Sequence, residues 1–113
     1  MLVLNRFTVP TETQDGFQEQ AHAALAALAR TPGYRSGRLT RAIEDPTGWT
    51  LVTEWESVGA YRRALGAYDV KLYATPLLAR SLDEPSAFET LASAEPGADV
   101  VVTASDRAAD PWR

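Results

Sequence analysis

The order in which strand-like and helix-like patterns follow one another most constrains the fold of this chain. Strand-like segments are short and rich in β-branched and aromatic residues, whereas helix-like segments repeat apolar residues every three or four positions. Six segments carry these patterns: residues 2–9, 11–30, 34–43, 49–55, 57–67 and 86–91. Their order is β-α-β-β-α-β, which is typical of a split βαβ unit.

The segment boundaries carry turn and capping residues. Thr11 or Thr13 is suited to cap the first helix and Ser57 to cap the second, since these side chains accept hydrogen bonds from free helix N–H groups. The sequence Thr-Pro-Gly at 31–33 ends the first helix. The turn sequence Asp-Pro-Thr-Gly at 45–48 predicts a hairpin between the second and third strands. After residue 67 the pattern is ambiguous and predicts a further helical turn broken by Pro76.

These elements predict an α+β fold. We expect a ferredoxin-like βαββαβ protomer, with an antiparallel sheet and two main helices on one face. Leu4 and Val52 then lie on the face that no helix covers. Because a bare, partly apolar sheet face normally requires a partner, we expect a homodimer that forms through the open sheet face.

The composition changes near residue 91. Residues 1–91 are predicted to form the folded domain, and residues 92–113 a polar, flexible tail rich in Ala, Asp, Ser, Gly and Pro. Three valines at 100–102 interrupt this tail and leave an extra strand near 99–103 as an alternative, on a sheet edge or on a partner chain. Trp112 is expected to be exposed and without a role.

Composition excludes several classes of function. The formal charge of −4 and the even spread of arginines argue against nucleic-acid binding, which needs a concentrated basic surface. There is no cysteine, and no sequence motif for metal binding, phosphate binding or hydrolysis is present. The chain begins directly with a strand and has no long apolar run, so we expect a cytoplasmic protein without a membrane segment.

Asn5 is the most informative candidate for a functional residue. It shares a face of the first strand with Val3 and Phe7, and burying an amide costs a few kcal/mol unless something bonds to it. Two interpretations are open: a structural hydrogen bond to nearby backbone, or contact with a substrate. By alternation, Thr53 and Trp55 on the third strand project to the same side, so Trp55 is either core or a wall of the same pocket.

Two other polar residues are placed by periodicity, Arg6 by strand alternation and His22 by its angle on the first helix. Arg6 faces away from Asn5, and the hypothesis is that it pairs with Glu54 at the dimer interface. His22 lies well off the apolar stripe of the first helix and is predicted to be a surface residue.

Three segments resemble the antibiotic biosynthesis monooxygenase domain family: LNRFTVP at 4–10, TPGYRSGRL at 31–39 and LVTEWESVGAYRRAL at 51–65. The resemblance covers residues 2 to about 91. It implies a dimeric α+β barrel of ferredoxin-like protomers that uses molecular oxygen without flavin or metal. Some members of that family oxidise quinols or polycyclic phenols, and another branch binds and degrades haem.

The resemblance to the haem-degrading branch implies that Asn5 and Trp55 are pocket residues. The histidine that ligates iron in that branch falls at or near Thr75, which is a poor ligand. A phenolate of Tyr68 or Tyr73 is the alternative ligand for the haem iron. Haem is therefore disfavoured, and no cofactor and no metal are expected.

The sequence thus predicts a cofactor-independent monooxygenase that oxidises a small aromatic polyphenol or quinol with O2. The alternative is a non-catalytic small-molecule-binding, haem-binding or assembly module on the same fold. The predicted catalytic residues are Asn5, Trp55, Tyr68 and Tyr73, and the predicted substrate-binding residues are Phe7, Thr53, Tyr61 and Thr75. Phe7 and Tyr61 have an alternative role as core residues.

Overall fold

The computed structural model describes residues 1–105 of the chain. The elements in chain order are β1 (Leu2–Thr8), α1 (Gln14–Ala29), β2 (Tyr34–Arg41), β3 (Gly48–Trp55), α2 (Val58–Leu65), α3 (Tyr68–Tyr73), α4 (Thr75–Leu78), β4 (Ala87–Phe88), β5 (Ala92–Ser93) and β6 (Val101–Val102). A 3-10 turn at Thr11–Thr13 precedes α1.

The main sheet is antiparallel and has the strand order β2-β3-β1-β4. The two central strands, β1 and β3, pair along their whole length, with Asn5 opposite Leu51 and Leu4 opposite Val52. This arrangement confirms the predicted α+β, ferredoxin-like protomer. It also places the N-terminal strand in direct contact with the hairpin and with β4.

The core lies between the helices and one face of the sheet. Burial alternates strictly along β3, and the side chains of β3 that face the helices are buried. The predicted apolar stripe of α1 is buried against them: Phe17, Ala21, Ala24 and Leu28. The other sheet face has no helix on it, and Leu4 and Val52 there are half-buried.

The helix starts differ from one another. Ser57 caps α2 as predicted, because its Oγ accepts a hydrogen bond of 3.0 Å from the Ala60 N–H. At α1 Thr13 occupies the N-cap position, as one of the two predicted residues, but the expected capping hydrogen bond is absent because its hydroxyl donates to the Pro10 carbonyl at 3.1 Å. The 3-10 turn places the threonine hydroxyl beside the preceding backbone, so it does not cap the helix.

Residues 68–78 form two short helices. The junction between α3 and α4 falls at Ala74, one residue before α4 begins. Pro76 lies in the first turn of α4, where its missing N–H costs no helical hydrogen bond. Pro76 therefore starts a helix, whereas the sequence pattern had suggested that it breaks one.

The C-terminal part of the described chain adds one short strand to the main sheet and then forms a second sheet. β4 is shorter than the predicted strand at 86–91 and pairs with β1 through Leu2 and Val3. The valines near 99–103 contribute β6, which pairs with β5 in a separate two-stranded sheet. Trp112 lies outside the described residues.

The hypothesis of an Arg6–Glu54 pair is wrong for this protomer. In the observed register Arg6 is opposite Thr50, and Glu54 is opposite Leu2 at the other end of the strand. Arg6 Nη1 instead contacts Glu84 Oε2 at 3.2 Å, and both side chains are nearly half exposed. Alternation assigned the correct face, but position along the strand depends on register, which alternation does not reveal.

Candidate functional site

The candidate site lies on the side of β1 and β3 that faces the helices. Asn5, Thr53 and Trp55 project to this side, as predicted, and all three are buried. Asn5 and Trp55 are not cross-strand neighbours, because Asn5 pairs with Leu51, four positions before Trp55. That offset corresponds to about 13 Å along a strand, and Thr53 lies between the two residues.

Trp55 has no exposed surface and lies between two tyrosines. Its ring centroid is 5.4 Å from Tyr34, in an edge-on arrangement with an interplanar angle of 86°, and 5.4 Å from Tyr61. The indole Nε1–H donates to Thr53 Oγ1 at 2.7 Å. The Thr53 hydroxyl thus receives one hydrogen bond and keeps its own hydrogen available.

The Asn5 amide has no protein partner. Its side chain is 8% exposed and makes no hydrogen bond with any residue between positions 1 and 105. Among residues 1–105 the one fully buried side-chain polar atom without a partner is Trp49 Nε1, so the Asn5 amide keeps some contact with solvent and is open to a hydrogen bond from water or a ligand. The structural interpretation of Asn5, a hydrogen bond to neighbouring backbone, is therefore not supported by the geometry.

The two tyrosines beside Trp55 also have free hydroxyls. Within the described part of the chain, neither Tyr34 nor Tyr61 makes a side-chain hydrogen bond. Burial raises the pKa of each phenol above its ordinary value of 10.0. Both residues are consequently neutral near pH 7 and can donate a hydrogen bond.

A cleft of about 410 Å³ opens at the same end of the sheet, and we call it the Tyr68 cleft. Its lining residues are Ala27, Arg30, Thr31, Pro32, Ala67, Tyr68, Asp69 and Val70. Thr31 and Pro32 lead directly into Tyr34, whose ring contacts Trp55. Tyr68 is 77% exposed, so it lies at the rim of this cleft and not beside the indole.

Tyr73 and Thr75 lie elsewhere. Tyr73 is 49% exposed and lines a separate cleft of about 280 Å³ with Gln20 and Arg80. The Thr75 hydroxyl donates to the Val70 carbonyl at 3.4 Å, which joins α3 to α4. The structure therefore does not bring these two predicted site residues next to Trp55.

Phe7 belongs to a second aromatic cluster at the opposite end of the sheet. Its ring centroid lies 5.1 Å from Phe17, which in turn lies 5.5 Å from Trp49. The Arg41 guanidinium lies 5.3 Å from the centre of the Trp49 ring. Trp49 Nε1 is a buried donor that finds no acceptor among residues 1–105. Phe7 thus packs as a core residue, which was the alternative interpretation.

No group of three or more histidine or carboxylate side chains in the described range is placed to hold a metal ion. His22 is exposed on α1, as predicted. Among the helices of residues 1–105, none has both the length and the apolar character needed to cross a bilayer.

The fold and the buried aromatic cluster define an α+β protein of the ferredoxin-like class with polar groups facing its helices. Residues 1–74 match the model of the antibiotic biosynthesis monooxygenase family. Since this match covers more than half of the chain, the protein belongs to the antibiotic biosynthesis monooxygenase family.

Three relatives illustrate the similarity. The crystal structure of SnoaB from Streptomyces nogalater, described as a cofactor-independent oxygenase, is 30% identical with a TM-score of 0.63, covering 80% of this chain and 94% of SnoaB. A conserved protein from Methanosarcina mazei Go1 is 20% identical with a TM-score of 0.63, covering 76% of this chain and 84% of its own. This second likeness concerns the fold alone.

A curated relative, a 42.8 kDa protein in the whiE locus of Streptomyces coelicolor, is 32% identical over 60 residues. That match covers 50% of this chain and only 15% of the relative, so this chain corresponds to a small part of the longer protein.

Sequence reasoning missed Tyr34 as a residue of the site. Strict alternation along the second strand places Tyr34 on the same face as Ser36, away from the helices. The available signal was Gly37, a glycine inside a strand pattern, which often marks a close approach by another group.

Proposed function

We propose that this protein is a cofactor-independent monooxygenase that oxidises a small aromatic polyphenol or quinol with O2. The observation that carries the proposal is the set of unpartnered polar groups on the helix-facing side of the sheet: the hydroxyls of Tyr34 and Tyr61, which flank the buried Trp55 indole, and the Asn5 amide farther along the sheet. Family membership and the likeness to SnoaB support the reaction class.

The chemistry requires an electron-rich substrate. Triplet oxygen reacts slowly with singlet molecules, and a phenol gives up an electron readily once it has lost a proton. For an anthrone-type methylene the balance is CH2 + O2 → C=O + H2O. One oxygen atom enters the substrate and the other leaves as water, and the substrate itself supplies all the electrons. No external reductant is needed.

In this proposal the Asn5 amide bonds to the substrate or to the reduced oxygen, and Trp55 orients the aromatic rings. Thr53 holds the indole through its 2.7 Å hydrogen bond. We propose that Tyr61 donates a hydrogen bond to the substrate, and that the substrate approaches through the Tyr68 cleft, which Tyr68 lines. Tyr73, Phe7 and Thr75 lie away from Trp55, and the catalytic role of Tyr73 and the binding roles of Phe7 and Thr75 stay predictions.

We also propose a cytoplasmic homodimer that forms through the open sheet face. Leu4 and Val52 are directly opposite each other on that face. Both remain half-buried without any helix above them, and Phe88, which is opposite Leu2 on β1, is 39% exposed. This apolar strip supports a second sheet as its partner.

Oxygen uptake with 1,8-dihydroxyanthrone tests the function. We expect the wild-type protein to consume oxygen above the rate of autoxidation, and Asn5→Ala to lower that rate at least tenfold. Because the amide bonds to no residue in the described range, Asn5→Ala should unfold at a temperature close to that of the wild type. His22→Ala, on the exposed side of α1, is the matched control and should retain the wild-type rate.

Equal rates for Asn5→Ala and the wild type would remove Asn5 from the proposed site. If the wild type raises no oxygen uptake but its melting temperature rises with haem or aromatic acids, the alternative of a binding module is correct, since a ligand that binds only the native state stabilises it. A Soret shift would identify haem as that ligand.

A further inference from the structure

Tyr34 faces the helices because of a β-bulge. Tyr34 pairs with Trp55 and Ser36 pairs with Glu54, so one extra residue, Arg35, is inserted in β2. Regular alternation from Gly37, which pairs with Thr53, would place Tyr34 on the open face of the sheet. The bulge reverses that direction, and bulges that re-aim a side chain are common beside functional sites.

Gly37 provides the space that the Tyr34 hydroxyl occupies. A Cβ atom built on Gly37 would lie 2.5 Å from Tyr34 Oη and 2.6 Å from Leu25 Cδ1. The same point is 3.2 Å from Thr53 Cγ2, so the phenol lies beside the residue that accepts the Trp55 hydrogen bond. Any larger residue at position 37 would displace the hydroxyl from this place.

The hydroxyl itself has nothing to bond to in the protein as described through Ser105. The ring is held by its edge-on contact with Trp55, at 5.4 Å between centroids. A phenol that is positioned by packing, with its hydroxyl unpaired next to a buried threonine, is suited to donate to a ligand oxygen.

We propose that Tyr34 is a substrate-binding residue that donates a hydrogen bond to a phenolic oxygen of the aromatic substrate. We further propose that Gly37 is the specificity-determining residue that keeps room for this contact. This inference takes the class of ligand, an aromatic phenol, from the proposed function. It adds Tyr34 as the residue that binds the substrate oxygen.

Binding measurements test the Tyr34 contact independently of the oxidation reaction. 1-Naphthol, which has one phenolic oxygen, and naphthalene, which has none, are titrated into wild-type protein and Tyr34→Phe by calorimetry. We expect Tyr34→Phe to weaken 1-naphthol binding by about two- to tenfold, the value of one neutral hydrogen bond, and to leave naphthalene binding unchanged. Gly37→Ala should also weaken 1-naphthol binding, whereas Gly16→Ala, with no atom within 4 Å of its added methyl group, should not.

Circular dichroism and thermal unfolding confirm that each variant is folded before titration. Equal affinity of Tyr34→Phe and wild type for 1-naphthol, or no 1-naphthol binding by the wild type, would overturn the inference. The two proposals fail separately. A Tyr34-dependent affinity without oxygen uptake refutes only the monooxygenase, and oxygen uptake with a Tyr34-independent affinity refutes only the Tyr34 contact.

Discussion

Trp55 combines complete burial with a hydrogen bond to the side chain two positions before it. The indole N–H would be an unsatisfied buried donor without the Thr53 hydroxyl, at 2.7 Å. This contact gives the buried Thr53 hydroxyl a hydrogen-bond partner in the core. By its packing Trp55 is therefore a core residue, and its contacts with Tyr34 and Tyr61 are the basis for its proposed place in the candidate site.

The Thr53–Trp55 contact predicts a non-additive pair of substitutions. Thr53→Val should lower the free energy of unfolding by about 1–3 kcal/mol, since it leaves the buried indole donor unpaired. In a Trp55→Phe background the same change should cost much less. Urea unfolding of the four proteins in this double-mutant cycle measures the difference, and strictly additive effects would show that the hydrogen bond has no energetic role.

Trp55→Phe should also reduce oxygen uptake with 1,8-dihydroxyanthrone at least tenfold, because the smaller ring no longer fills the space between the two tyrosines. Uptake is corrected for the folded fraction, which thermal unfolding gives. A corrected rate equal to that of the wild type would assign Trp55 to the core alone.

The half-buried Tyr61 phenol predicts a loss of stability at alkaline pH. Burial raises the pKa of Tyr61 above its ordinary value of 10.0, so the folded state favours the protonated form. This stabilisation is complete below about pH 10 and is lost as the pH rises through the raised pKa. Melting temperatures between about pH 8 and pH 11 should fall more steeply for the wild type than for Tyr61→Phe. Tyr68→Phe, at a position that is 77% exposed, should follow the wild-type curve.

At the scale of elements, the connection from α1 to β2 positions the site. Gly33 has φ = 87°, and a Cβ built there would lie 2.5 Å from the Ala60 Cβ. The close approach brings the start of β2 against α2, and the Tyr34 and Tyr61 rings then reach Trp55 from two sides. The bulge that follows turns Tyr34 toward the helices.

Two glycine substitutions should therefore have opposite signs. Gly33→Ala combines a left-handed backbone with a clash and should cost about 2 kcal/mol or more of stability. Gly16→Ala, in α1 with no atom near the added methyl group, should raise stability by up to about 1 kcal/mol. Denaturant midpoints measure both, and a neutral Gly33→Ala would contradict the close packing of β2 against α2.

At the scale of the whole molecule, one face of the main sheet carries apolar side chains that no helix covers. We expect a dimer at micromolar concentration in sedimentation experiments. Val52→Glu should yield monomers, because it places a charge in the apolar strip opposite Leu4. His22→Glu, on the far side of the protomer from this strip, should remain dimeric. A wild-type monomer at these concentrations would reject the proposed interface.

The sequence by itself determined the order of elements, the helix-facing side of Asn5, Thr53 and Trp55, and the Ser57 cap. These follow from local rules of periodicity, alternation and capping, which read only a few neighbouring residues. The tertiary structure alone decided the register that separates Arg6 from Glu54, the bulge that turns Tyr34 inward and the absence of a partner for the Asn5 amide. Each depends on which distant segments meet and how they align, and local patterns carry no such information because a shift along a strand preserves its alternation.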